Sequence, residues 1–226
     1  TASAGAAATR TVAAQAIVVN GSLKSGTYTT AGTDTAKSIA AGINALDTGV
    51  KASAKTELDA TFSATGAYTL TVTSDNTTAK TVAFTVSAIN TADGLAEAAK
   101  AFNDASGATG VTAKVNSGNT GITMTNSTGN DITLLDTTTA NAGDVVAGAT
   151  LTSDTVVDTV VVNGQVSLNS DKSYSATDAG SGYGLGVTSS LQSVSTLDVS
   201  TVALATTALR IADAGIAPID NQRADF

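Results

Sequence analysis

The sequence predicts an α+β fold made of two small units, each a β-hairpin followed by a helix and further strands. Three observations carry this. Apolar and polar residues alternate over runs of strand length, two stretches switch to helical spacing, and the order hairpin, helix, strand occurs twice.

The first unit opens with AIVVNGSLKSGTYTT (16–30), two β-prone runs around Asn20-Gly21, a strong short-range hairpin signal. In DTAKSIAAGINAL (34–46), Ala36, Ile39, Ala40, Ile43 and Leu46 recur at the spacing of a helix with one buried face. Thr33 or Asp34 is placed to cap it. TGVKASAKTELDATF (48–62) returns to strand-like alternation.

The second unit repeats the order. AYTLTVTSDNTTAKTVAFTV (67–86) alternates at Tyr68, Leu70, Val72 and again at Val82, Phe84, Val86, with SDNTT as the turn. DGLAEAAKAFNDA (93–105) places Leu95, Ala98, Ala99 and Phe102 on one helix face, and Phe102-Asn103 matches Ile43-Asn44 of the first helix. TGVTAKVNSGNTGITMTNSTGNDITLL (109–135) gives a strand and another hairpin, opening on the same TGV as residues 48–50. TVVDTVVVNGQVSLNSDKSYSAT (155–177) is strand-rich again. Its VVVNG echoes IVVNG of 17–21 and is expected to rejoin or extend the first unit's sheet. DAGSGYGLGVTSS (178–190) reads as a Gly/Ser linker and a domain boundary.

From 198 the period changes. Val202, Leu209 and Ile216 are spaced by seven, and so are Ala205, Ala212, Ile219 and Phe226 at an offset of three. This is a narrow a/d stripe, the seam of a coiled coil, with Ser200 or Thr201 as its cap. Pro218 removes one helical hydrogen bond at a cost of about 3 kcal/mol and predicts a kink. No other stretch carries matching heptads, so the expected partner helix lies outside this chain or in another copy. The alternative is a plain globular helix lying on the chain's own units.

These residues resemble bacterial flagellin. LDVSTVALATTALRIADAGIAPIDNQRADF (197–226) is similar to the C-terminal helix of the flagellin core domain. VVNG, DTAKSIAAGINA and TGVKA are similar to a small ββαβ motif inserted in flagellins, hooks and filament-cap proteins, and 67–135 resembles it more loosely. Pro218 departs from the family pattern. The resemblance implies a structural subunit of the flagellar filament, secreted and extracellular, acting in motility and serving as a surface antigen. It divides the chain into 1–15, leaving the core domain; 16–66 with 151–177, a first outer unit; 67–150, a second outer unit; and 178–226, a linker and the start of the core-domain helix. The chain is then expected to be an excised middle, monomeric and without the terminal polymerisation segments. The resemblance assigns Val202, Ala205, Leu209, Ala212, Ile216, Ile219 and Phe226 to a helix-packing seam, either within the full-length subunit or with other flagellin subunits. It places Gln222 and Arg223 near the surface that a host innate immune receptor reads, with weak or absent signalling expected from this fragment. Another flagellar axial protein, such as the filament cap, and a carbohydrate-binding adhesive module presenting Tyr28 or Tyr183 stay open beside it.

Composition narrows the chemistry. The net charge of -8 repels phosphate backbones and anionic membranes, so neither nucleic acid nor membrane is an expected partner. No Cys and no His means no disulfide, no thiolate ligand and no histidine general base. No apolar run nears the ~18 residues of a membrane span, and TASAGAAATR shows no apolar signal core. The 226 residues are only 4% aromatic, so the expected core is built of small side chains. GSGYGLG (180–186) lacks the strand-to-helix context of a phosphate loop. Asp131, Asp136, Asp144, Asp154 and Asp158 fit no calcium-loop spacing and read as solvated loop charges. Asn20, Asn76 and Asn126 head N-x-S/T sequons. No enzyme activity, cofactor or metal is expected.

Overall fold

The computed structural model describes residues 12–190, 199–200, 204–205, 208–209 and 211–212. It is a mixed α and β structure whose sheets are antiparallel.

In the first lobe, β1 (Ala16–Asn20) and β2 (Ser25–Thr29) form the hairpin signalled by Asn20-Gly21. The turn is the four residues 21–24, wider than a two-residue turn, closed by Gly21 N–H donating to Lys24 O at 3.2 Å. The helix α1 (Ala36–Ala45) buries Ala36, Ile39, Ala40 and Ile43. Its cap is Thr35 rather than Thr33 or Asp34. Ser38 N–H donates to Thr35 Oγ1 while Thr35 N–H donates to Ser38 Oγ, a reciprocal capping box. Asp34 instead accepts from Ala31 N–H and the Tyr28 hydroxyl, pinning the chain that enters the helix. The strand β3 (Lys51–Phe62) follows.

The second lobe contains β4 (Gly66–Thr73), β5 (Lys80–Val86), α2 (Ala92–Asp104), the single turn α3 (Ser106–Thr109), β6 (Val111–Val115), β7 (Gly121–Asn126), β8 (Ile132–Leu135), β9 (Val145–Val146), β10 (Thr150–Leu151) and β11 (Thr159–Val162). The chain then returns to the first lobe as β12 (Gln165–Asn169), β13 (Ser175–Asp178) and β14 (Val187–Thr188). The sheets run β14-β13-β1-β2 in one lobe and β11-β8-β4-β5 in the other, the same arrangement twice. Between them, β3 serves both lobes: Lys51–Lys55 pair with β12 and Thr56–Thr61 with β7. The second lobe is therefore inserted between β3 and β12. Its own corresponding strands, β6 and β7, are joined by the short turn 116–120.

The repetition extends to single hydrogen bonds. Asn44, in the last turn of α1, donates to Ala52 O and accepts from Ala52 N–H, both at 2.8 Å. Asn103 of α2 makes the same pair with Ala113, also at 2.8 Å. Thr48 and Thr109 are fully buried, and each is followed by a glycine at positive φ, Gly49 and Gly110. Their carbonyls accept from Leu23 N–H and Asp75 N–H, in the turns of the two hairpins.

Each lobe has its own core. The first gathers Ile17, Val19, Ile39, Ile43, Val50 and Ala52 from the outward leg with Ala176 and Leu185 from the return. The second is larger and contains Phe62, Tyr68, Phe84 and Phe102 as a chain of ring contacts with centroids 5.1–5.9 Å apart. This shifts the expected boundaries. Leu58, Ala60 and Phe62, and on the return Leu151, Val160 and Val162, pack in the second core. VVV of 160–162 does not rejoin the first sheet: β11 pairs with β8, and the chain crosses back only at Asn163-Gly164. The reason is register, since Val160 and Val162 face the second core opposite Leu134 and Ile132.

Candidate functional surfaces

The acidic residues are not uniformly solvated. Asp154 is exposed and Asp144 and Asp158 are half-buried, but Asp131 and Asp136 are only 6% and 3% exposed. Asp136 follows β8 as Asp178 ends β13, in corresponding strands of the two lobes, yet their surroundings differ. Asp136 Oδ1 accepts from Asp158 N–H at 2.7 Å, while its buried Oδ2 has no hydrogen-bond donor among the described residues. Burial pushes this carboxyl up, and the charges of Asp158 and Asp154 push the same way. Asp158 is itself held low by the Thr152 hydroxyl and backbone N–H. Among the described residues, no group of three His, Cys, Asp or Glu side chains is placed to hold a metal ion.

The glycine stretch 178–190 is not a linker. Asp178 accepts from Gly180 N–H (3.0 Å), Ser181 N–H (2.7 Å), Ser181 Oγ (2.8 Å) and Leu185 N–H (3.2 Å). Ser181 is fully buried and Leu185 packs in the first core. Burial alone would raise the Asp178 carboxyl, but these donors outweigh it and hold it below the usual carboxylate range. Gly180, Gly182 and Gly184 take positive φ, which lets the loop curl around the carboxylate. The loop does cradle an anion, and that anion is the chain's own Asp178. All four donors lie within seven residues of Asp178, so an Asx-type turn at Asp178–Ser181 was the local signal, and the reading of the glycines as a linker passed over it.

The sequons separate by burial. Asn126 is fully buried, with Nδ2 donating to Ser74 Oγ and Asp75 Oδ1 and Oδ1 accepting from Thr128 and Gly129 N–H, so its amide is closed to modification. Asn76 Oδ1 accepts from Ser74 N–H inside the second hairpin turn. Asn20 is exposed and donates to Ser175 Oγ at 3.3 Å.

Tyr28 and Tyr183 are half-buried against the first core and do not form an exposed aromatic platform. The Tyr28 ring covers Gly42 so closely that a Cβ there would lie 2.1 Å from it. Both hydroxyls donate to Asp34, Tyr28 to the carboxylate at 3.0 Å and Tyr183 to the carbonyl at 3.3 Å.

Of the expected helix-packing stripe, Ala205, Leu209 and Ala212 are described, and all three are helical. Leu209 is 65% exposed, Ala205 and Ala212 are half-buried, and neighbouring Ala208 is buried. Val202, Ile216, Ile219, Phe226, Pro218, Gln222 and Arg223 lie outside the described residues. No protein-family model matches this sequence, and no curated protein matches it.

Proposed function

We propose that the chain is part of a bacterial flagellin: two outer units in a discontinuous excursion, followed by the beginning of the C-terminal core-domain helix. Its role is structural, in a secreted filament that acts in motility and presents a surface antigen. The observation that carries the reading is Leu209. It sits on the heptad stripe, in helical conformation, with 65% of its surface exposed. A leucine in that setting fits a seam awaiting a second helix, as in the packing of core-domain helices between subunits. The two lobes of hairpin, helix and strand support the outer-unit part of the proposal. The half-buried settings of Tyr28 and Tyr183 count against the adhesive alternative.

Antibodies raised against the chain test this by immunogold electron microscopy on cells that carry the gene. Label along the whole flagellar filament is expected. Label confined to the filament tip would replace the proposal with a filament-cap protein, and label on the cell body alone would replace it with an adhesive module.

A further inference from the structure

We propose that the two lobes are clamped into one rigid arm by the turn 128–130 and Gly164, which seat the second lobe on the start of α1. The clamp is a property of the two lobes themselves, whether or not the chain belongs to a filament.

Paired domains in one chain ordinarily move relative to each other, because exposed linkers join them across modest interfaces. Here neither crossing is such a linker. The first crossing is inside β3, where Lys55 pairs with Gln165 and the next residue, Thr56, pairs with Asn126. Thr56 is fully buried and its hydroxyl donates to Asn130 O at 2.7 Å. The second crossing, Asn163-Gly164, joins β11 directly to β12.

Across the gap, α1 offers its first turn. Lys37 N–H, one of the donors a helix start leaves without an internal partner, donates to Gly129 O at 3.1 Å. The Thr35 hydroxyl donates to Asn130 Oδ1 at 3.3 Å. The turn itself is anchored in the second lobe, since Asn130 Nδ2 donates to Asp75 Oδ1 at 2.7 Å and Asn126 Nδ2 to the same oxygen at 2.8 Å. Packing leaves no slack. A Cβ on Gly129 would lie 2.3 Å from Ala54 Cβ, and one on Gly164 would lie 2.5 Å from Thr56 Oγ1 and 2.7 Å from Ala36 Cβ. Ala36 is fully buried there, whereas Ala92, at the same place in α2, is exposed. A hinge motion would have to break both cross-lobe hydrogen bonds, Lys37 N–H to Gly129 O and Thr35 Oγ1 to Asn130 Oδ1, and open this contact together.

The absence of cysteine makes the test direct. Spin labels on Lys172→Cys in the first lobe and Ser117→Cys in the second, both exposed positions, report the inter-lobe distance by pulsed electron paramagnetic resonance. A single narrow distance distribution is expected in this labelled parent. Gly164→Ala combined with Asn130→Ala is expected to at least double its width while the near-ultraviolet tyrosine signal, from Tyr68 in one lobe and Tyr28, Tyr174 and Tyr183 in the other, is kept. A broad or bimodal distribution in the labelled parent overturns the proposal by itself, however the double variant folds. An unchanged width in the folded double variant overturns it too.

Discussion

Asn44 and Asn103 do the same work in different surroundings, and that difference sets a measurable contrast. Each amide replaces a strand partner for one residue, Ala52 or Ala113. Ala52 is buried, so Asn44→Ala strands a backbone donor and acceptor away from water, at a cost of about 1–3 kcal/mol. Asn103 is exposed, and water can take over its bonds, so Asn103→Ala is expected to cost about 1 kcal/mol or less. Urea denaturation of the two variants checks this, and equal losses would contradict it.

Asp136 and Asp178 give a second contrast, this time with pH. Asp178 is held low, so its stabilising contribution is present above the unfolded carboxyl pKa of about 3.9 and is lost as pH falls through the folded value. Asp136 is pushed up, so its contribution is present below that unfolded pKa and is lost as pH rises through the folded value. Asp136→Asn is therefore expected to stabilise the chain at pH 7, with the gain shrinking toward pH 4. Asp178→Asn is expected to destabilise it at pH 7 by about 1–3 kcal/mol, because one amide oxygen replaces a charged acceptor of four hydrogen bonds. Thermal melts across pH 4–7 separate the two, and parallel curves would contradict the assignment.

At the scale of elements, what the sequence revealed follows from range. The buried faces of α1 and α2 were legible because their period of 3.6 is local, and both hairpins because their partners are neighbours in sequence. The double membership of β3 was not legible. Its alternation specifies which face is buried but not which strand pairs with Lys51–Lys55, a choice made by β12 more than a hundred residues later. The loop 180–186 looked like a linker because glycine content is the same for a flexible segment and for one curled around a carboxylate. The heptad stripe was legible as a pattern, but a stripe says nothing of its partner. Leu209→Ser tests that at the level of the chain itself. With 65% of Leu209 exposed, the substitution is expected to shift unfolding of the isolated chain by no more than about 0.5 kcal/mol. A loss of 2 kcal/mol or more would mean that the chain's own lobes already cover the seam.

At the scale of the whole molecule, the nested topology predicts where the chain accepts more structure. The connection from β3 to β12 carries the entire second lobe, and the corresponding connection in that lobe is the turn 116–120 between β6 and β7. Residues 117–120 are exposed, and the turn is closed locally by Asn119 N–H on Asn116 O and Asn116 N–H on Gly121 O, both at 3.0 Å. Lengthening a loop costs little, since closure entropy grows only with the logarithm of its length. A flexible insert of about twelve residues between Gly118 and Asn119 is therefore expected to cost on the order of 1–2 kcal/mol, the loss of the local turn bonds. The same insert between Gly129 and Asn130 separates two residues that both bond across the lobes, Gly129 sitting where no added Cβ fits, so it is expected to cost at least about twice as much. Urea midpoints of the two insertion variants decide the matter. Equal losses would show that the two connections are not structurally distinct, and a larger loss at 118–119 would show that the short turn is part of what holds the second lobe together.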